Sequence, residues 1–267
     1  MDSGAMVTAE RGRSASEAPG RTDFGTIVII GGGCYGTYYV RQLLRGQAAG
    51  ALRWNRLLVV DRDAECAVAR AGAELGSNVE IVTAEWREFF VAYLGHATGD
   101  SATEADAIVP SPLMPHLMYD WLLQRARDRW PDRSVQSRPL AAAPAVPWSR
   151  AGSGDTHYVS FADWLCPVNC IEPRRCPHTR GDRDWTLPAS LRAHVEQNRS
   201  AGGQLAGPVI LHCTHRAYGV GMIDTRDLLA ADRIVSELGE EGEAQILVGT
   251  VSHCHGALNV LGISARP

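Results

Sequence analysis

The chain has 267 residues, 45% hydrophobic and 21% charged, with a formal net charge of −4. That is the balance of an ordinary globular protein. It offers no basic face for nucleic-acid phosphates and no apolar run long enough to span a bilayer, which excludes nucleic acid and membrane insertion and leaves a small-molecule substrate as the expected partner, with a homo-oligomer open.

Residues 1–22 are small, polar and aperiodic, which predicts a disordered tail, and they lack the apolar core of a secretory signal. The expectation is a cytoplasmic protein. In a reducing compartment, close-spaced cysteines mean metal or redox chemistry before disulfides.

From there the chain alternates. Thr26–Ile30 is a continuous β-branched apolar run, as a strand buried on both faces requires. Tyr35–Arg45 carries Tyr39, Val40, Leu43 and Leu44 on one helical stripe. Leu57–Val60, Val79–Val82 and Ala107–Val109 read as strands, separated by helices over Ala64–Leu75 and Trp86–Leu94. Pro115 suits the first turn of a helix over His116–Trp130, with His116 placed to cap it. Residues 131–156, rich in Pro, Ala, Ser and Gly, read as a connector with one short strand around Leu140–Val146. The second half repeats the pattern. Tyr158–Phe161, Pro208–Cys213 and Gln245–Ser252 are predicted strands. Leu187–Asn198 and Thr225–Leu238 are predicted helices, the latter with Asp224 as its cap.

Alternation of this kind predicts one α/β domain with a doubly wound, mostly parallel sheet. Its parts would be a dinucleotide-binding half (23–130), the connector (131–156) and a second α/β half with an inserted Cys/His-rich loop (157–267).

The stretch "TIVIIGGGCYGTYYVRQLL" carries the first chemical signal. Gly31, Gly33 and Gly36 fit G-x-G-x-x-G between a buried strand and an amphipathic helix, which is the context the motif needs. Gly31 allows the tight turn, Gly33 lets the backbone approach a diphosphate, and Gly36 brings the helix close to the strand. Gly32, Cys34 and Tyr35 complete the loop. The amides and dipole of the helix start then face the phosphate; Cys34 reads as a small filler of the loop, its place at a helix N-terminus leaving a reactive thiol open. Asp61 ends the next strand, 25 residues after Gly36. A carboxylate there grips ribose hydroxyls and repels a 2′-phosphate, favouring NAD; Arg62 beside it keeps NADP open.

These residues, with "LLVVDRD", resemble the NAD(P)-binding Rossmann superfamily, and most the N-terminal nucleotide-binding domain of TrkA/RCK-type potassium-uptake regulators. The resemblance covers residues 26–82. It implies a Rossmann-like fold, diphosphate contacts at Gly31, Gly33 and Gly36, and ribose contacts at Asp61. The triple glycine also resembles FAD-binding flavoproteins. "PSPLMPH" and the cysteine cluster lie outside the regulators' pattern.

The second signal is "CPVNCIEPRRCPHT". Cys166, Cys170, Cys176 and His178 form a proline-stiffened C-x3-C-x5-C-x-H set, suited to zinc, or through its thiolates to an iron–sulfur cluster. "HCTH" places His212, Cys213 and His215 at one strand end, and "SHCHG" places His253, Cys254 and His255 at another. Ligands bind at the carboxyl edge of an open α/β sheet, so the glycine loop and both clusters are expected together there. On strand alternation, His253 and His255 would share a face, with Cys254 pointing away. Imidazole titrates near working pH, which makes His212, His215 and His253 the candidate proton-transfer groups.

The combined reading is an NAD(P)-dependent oxidoreductase with a metal or thiol site near the nicotinamide. The alternatives are a non-catalytic NAD(H)-binding redox sensor of TrkA/RCK type and, ranked lower, a methyltransferase.

Overall fold

The computed structural model describes residues 22–76, 78–97, 105–114, 116–162, 170–177 and 179–266, without the side chains of 73, 96 and 97. The expected tail (1–22) therefore lies almost wholly outside the described residues, as do Cys166 and His178. No helix among the described residues is long and apolar enough to cross a membrane.

The first half runs β1 (Asp23–Ile30), α1 (Cys34–Ala48), β2 (Arg53–Asp61), two single turns α2 (Ala67–Arg70) and α3 (Gly72–Leu75), β3 (Val79–Thr83), α4 (Trp86–Ala97), β4 (Ala107–Val109) and α5 (Leu117–Arg129). The second runs β5 (Val135–Arg138), β6 (Trp148–Ala151), β7 (His157–Ser160), α6 (Leu187–Ser200), β8 (Leu205–His212), β9 (Thr214–Ala217), β10 (Val220–Asp224), α7 (Thr225–Glu240), β11 (Ala244–Val251) and β12 (His255–Ile263).

The class is α/β, but the single mostly parallel sheet does not hold. Two sheets form. The first has the order β3-β2-β1-β4-β10-β9. Its β3-β2-β1-β4 part is parallel throughout, while β10 runs antiparallel to β4 and to β9. The second has the order β6-β7-β12-β11-β8, with β5 also on β12. Only β11 and β8 pair parallel there.

Two hairpins cause the difference. Tyr218 and Gly219 take φ of 49° and 80° between β9 and β10, the paired left-handed conformation of a tight hairpin turn. Arg45 lies over the Tyr218 ring, 4.8 Å from its centre. The second hairpin joins β11 to β12. In the expected connector, 139–146 is irregular, and strands flank it as β5 and β6.

The parallel strands are buried on both faces. Val28, Ile30, Leu58 and Val60 face a core shared with α4, α5 and α7, which continues onto Val209, Leu211, Ile246 and Val248 of the second sheet. Ile27, Ile29, Leu57 and Val59 face α1 and the short turns. The far side of the second sheet is closed by Leu187, Leu191 and Val195 of α6. Helices α4, α5 and α7 are thus a filling between two sheets, and they hold the sheets' edges together.

Two expected caps are replaced. Asp224 precedes α7 but makes no capping bond. Its carboxylate pairs instead with Arg216 at 2.9 Å, both side chains being under 10% exposed. A buried charge outweighs a cap, because an unpaired guanidinium there would cost several kcal/mol. His116 precedes α5 without capping it. Its ring packs against Tyr119, centres 5.5 Å apart, and neither ring nitrogen reaches hydrogen-bond geometry with a described partner. Burial lowers its pKa to about 4, partly opposed by the Leu258 backbone.

The sign of this effect is testable. The unfolded imidazole binds its proton near pH 6.5 and the folded one only near 4, so His116 favours the fold above pH 6.5 and that contribution is lost as pH falls toward 4. His255 is shifted the same way, by burial. Urea midpoints at pH 7 and pH 4.5 should differ less for His116→Gln than for the parent chain.

Candidate functional site

The glycine loop begins where β1 runs out. Gly31 sits at φ +90°, and its N–H donates to the Val60 carbonyl at 2.8 Å. The Gly32 N–H donates to Asp61 Oδ2 at 2.7 Å. The other Asp61 oxygen accepts the Asp63 N–H at 2.9 Å. The carboxylate is therefore fixed by backbone at the end of β2, with lone pairs left for further donors.

The three glycines of the motif differ in what they leave open. A Cβ on Gly36 would lie 2.0 Å from the Gly31 carbonyl oxygen, so α1 can approach β1 only without one. A Cβ on Gly32 would meet the Cys66 sulfur at 2.3 Å. Around Gly33 there is nothing within 4 Å. Gly33 precedes α1, whose first turn has neither a side-chain cap nor an acidic residue. Cys34, Tyr35 and Arg62 are exposed.

Beside this loop lies a cleft of about 770 Å³. Tyr35 and Tyr39 of α1 and Pro110–Pro112 after β4 form one side. The β9–β10 hairpin, with His215, and Cys213 just before it form a second. The β11–β12 turn and β7 form the rest, and Cys170 and Glu172 close one end. The cleft is where the two sheets' edges face each other, which explains why residues far apart in sequence meet there.

Of the sequence-predicted groups, Tyr35, Cys170 and His215 line this cleft. His212 and His253 do not. Residues 252–254 form the turn between β11 and β12, so His253 lies off the strand and the expected shared face with His255 is not found. Cys254 and His255 are the members of that cluster on the wall. Cys176 is buried away from the cleft. Among the described residues, no three His, Cys, Asp or Glu side chains converge as a metal would need.

The electrostatics are set by hydrogen bonds and burial. His215 Nδ1 lies 2.5 Å from the Cys170 carbonyl oxygen. A carbonyl can only accept, so Nδ1 carries the proton and Nε2 is the acceptor in the neutral ring. Nε2 and the Cys213 sulfur both crowd the Gly221 backbone, which has room for them only because glycine lacks a Cβ. Burial raises the Cys213 thiol to about 12, the Glu172 carboxylate adding to this and Arg216 opposing it. His255 Nδ1 lies 2.8 Å from Ser160 Oγ, which also accepts the Ala162 N–H. Burial lowers its pKa, with Glu172 acting against the shift.

Glu172 was missed by sequence reasoning, although it stands between Cys170 and Cys176. Its one hydrogen bond among the described residues is from the His253 N–H to Oε1, at 3.1 Å. Its own φ of 50° is a left-handed conformation that a side-chain-bearing residue rarely adopts. Trp148, Tyr158 and Ser160 were missed too; they reach the cleft only through pairing in the second sheet.

The AF_1314_C family model, described as "Uncharacterized protein, C-terminal domain", matches residues 118–264, just over half of the chain. The match takes in the whole second sheet, the β9–β10 hairpin and the Cys/His side of the cleft, and it leaves out the glycine loop. No curated protein and no solved structure matches the chain.

Proposed function

We propose that this chain, which belongs to the AF_1314_C family, is an NAD(P)-dependent oxidoreductase that binds the dinucleotide at its glycine loop and a small substrate in the adjoining cleft. The observation that carries the reading is the contrast between Gly36 and Gly33: one has no space for a side chain because the helix packs on the loop, the other faces open space. Packing alone accounts for Gly36. It does not account for Gly33, whereas a diphosphate approaching the backbone would. The parallel order β3-β2-β1-β4 supports a Rossmann-like nucleotide half.

The residues present fit the group. Uncapped amides at the start of α1 suit the phosphates. Asp61, held by Gly32 and Asp63, suits the ribose and favours NAD over NADP. When bound, the nicotinamide accepts or releases a hydride. The chain's own part is to orient the substrate, exclude water and move a proton. His215 is the group for the last of these: it lines the cleft, its Nδ1–H is committed to the Cys170 carbonyl, and Nε2 is the ring's acceptor. Cys213 stays a neutral thiol at neutral pH, which argues against thiolate chemistry at that sulfur.

Gly33→Ala is expected to fold with stability within about 1 kcal/mol of the parent, yet to weaken NADH by about tenfold or more because its methyl stands where the diphosphate must approach. Calorimetric titration with NADH checks this. No heat from the parent chain with NADH, NADPH or FAD at millimolar levels would end the reading.

The neutral Cys213 and His255 favour a second reading, a dinucleotide-binding sensor without turnover. Stoichiometric NADH binding with no oxidation across a panel of carbonyl acceptors would select it.

A further inference from the structure

The cleft has an uneven chemical lining. Its mouth is apolar and aromatic: Tyr35, Trp148 and Tyr158 line it and are among the few large hydrophobic side chains left exposed. Leu113 and Ile171, 76% and 61% exposed, sit one residue from lining positions. A soluble chain leaves such groups out singly; several at one opening mark a binding site. Among the described residues, one wall side chain carries a formal charge at neutral pH, and it is Glu172. No arginine or lysine is among those described wall residues. Of the arginines that act on the wall from outside it, Arg216 is paired with Asp224, and Arg183 donates to the Pro173 carbonyl and keeps its charge.

We infer that the cleft takes a small monocationic amine on an aromatic or alkyl body, with the ammonium against Glu172 and the body between Tyr35, Trp148 and Tyr158. Glu172 has one oxygen anchored by the His253 N–H and the other with no hydrogen bond among the described residues, so it can accept from an ammonium without giving up its support. The aromatic side chains at the mouth suit the ligand's apolar body, by ring contact and burial of its surface. A carboxylate or phosphate ligand would instead meet Glu172 with no arginine or lysine among the described wall residues to pair with it, Arg183 and Arg216 acting on the wall only from behind it. Burial leaves His255 neutral and Cys213 protonated, so neither rival charge offsets Glu172.

The inference rests on the proposed role of the cleft as substrate site, not on the dinucleotide, and it is tested without one. Benzylamine, benzyl alcohol and benzoate are titrated into the full chain at pH 7.5, read by calorimetry and by tryptophan fluorescence. Benzylamine should bind at least about tenfold tighter than benzyl alcohol, the gain expected of a charge-assisted hydrogen bond, and benzoate weakest. In Glu172→Gln the amine and the alcohol should come within about threefold. If that variant does not fold, Trp148→Leu at the exposed mouth should weaken the amine and the alcohol by a similar factor, since both lay their ring there, and unchanged affinity for both would overturn the inference. Equal affinities in the parent chain, tightest binding of benzoate, or no binding of any of the three at millimolar levels overturns the inference. NADH titrated separately keeps the two readings apart: failure there sinks the dinucleotide site alone.

Discussion

Gly36→Ala should cost roughly 3 kcal/mol or more of stability, or abolish folding, although it adds one methyl group. The new Cβ would stand 2.0 Å from the Gly31 carbonyl oxygen and 3.0 Å from its carbon. Both are backbone atoms, so no side chain can swing aside. Either α1 moves off β1 or the loop moves. Moving α1 loosens Tyr39, Val40 and Leu43, which are buried against Ile27, Ile29, Leu57 and Val59. Moving the loop breaks the Gly31 and Gly32 amide bonds to Val60 and Asp61. Urea unfolding by circular dichroism reads the loss. An unchanged midpoint would mean that the helix approaches β1 less closely than described. Set beside Gly33→Ala, this pair separates a glycine required by packing from one required by a ligand.

Asp224→Ala should be nearly as damaging, about 3–5 kcal/mol. Asp224 is 3% exposed and Arg216, its partner at 2.9 Å, is 7% exposed. Removing the carboxylate leaves the guanidinium buried beside the Phe24 ring, its centre 5.4 Å away, with its main counter-charge gone. Arg226, half exposed and 3.4 Å from the same carboxylate, loses far less because water screens it. Most of the loss is the cost of stranding Arg216, so Arg216→Met added to Asp224→Ala should recover a large part of it. Chemical denaturation of the two single variants and the double variant checks the expectation. Additive losses would show that the pair does not act as a unit. Arg216 and Asp224 stand on neighbouring strands β9 and β10, which also carry His215 and Gly221. The same variants should therefore disturb the cleft before the glycine loop.

The local elements were legible in the chain because their causes are local. Ile27–Ile30 and Leu57–Val60 are strands with both faces buried, as unbroken apolar runs require. The helices starting at Trp86, Leu187 and Thr225 begin where the apolar stripes begin. Thr186 even supplies the cap of α6, accepting from the Ala189 N–H at 3.1 Å. What failed was the helix expected over Ala64–Leu75, which breaks into the two turns α2 and α3, the strand expected around Leu140–Val146, and the two strands Val220–Asp224 and His255–Ile263, which were not expected, with the direction they impose. Val220–Asp224 and His255–Ile263 are almost wholly buried, and a buried antiparallel strand shows the same apolar run as a parallel one. The β9–β10 turn also gave little warning, since Tyr218 stands where Asn or Gly is usual.

The candidate site divides along the same line. Order along the chain determined the glycine loop, its place between a strand and a helix, and a carboxylate at the end of the neighbouring strand; each depends on contacts within one strand–helix–strand unit. The tertiary structure alone decided which histidine faces the cleft, that Glu172 is its charge, and that Trp148 and Tyr158 stand at its mouth. Those residues come from a hairpin, a loop and two short strands, brought together because α4, α5 and α7 share one core between the sheets. Spacing along a chain carries no record of which distant edges a common core will draw together.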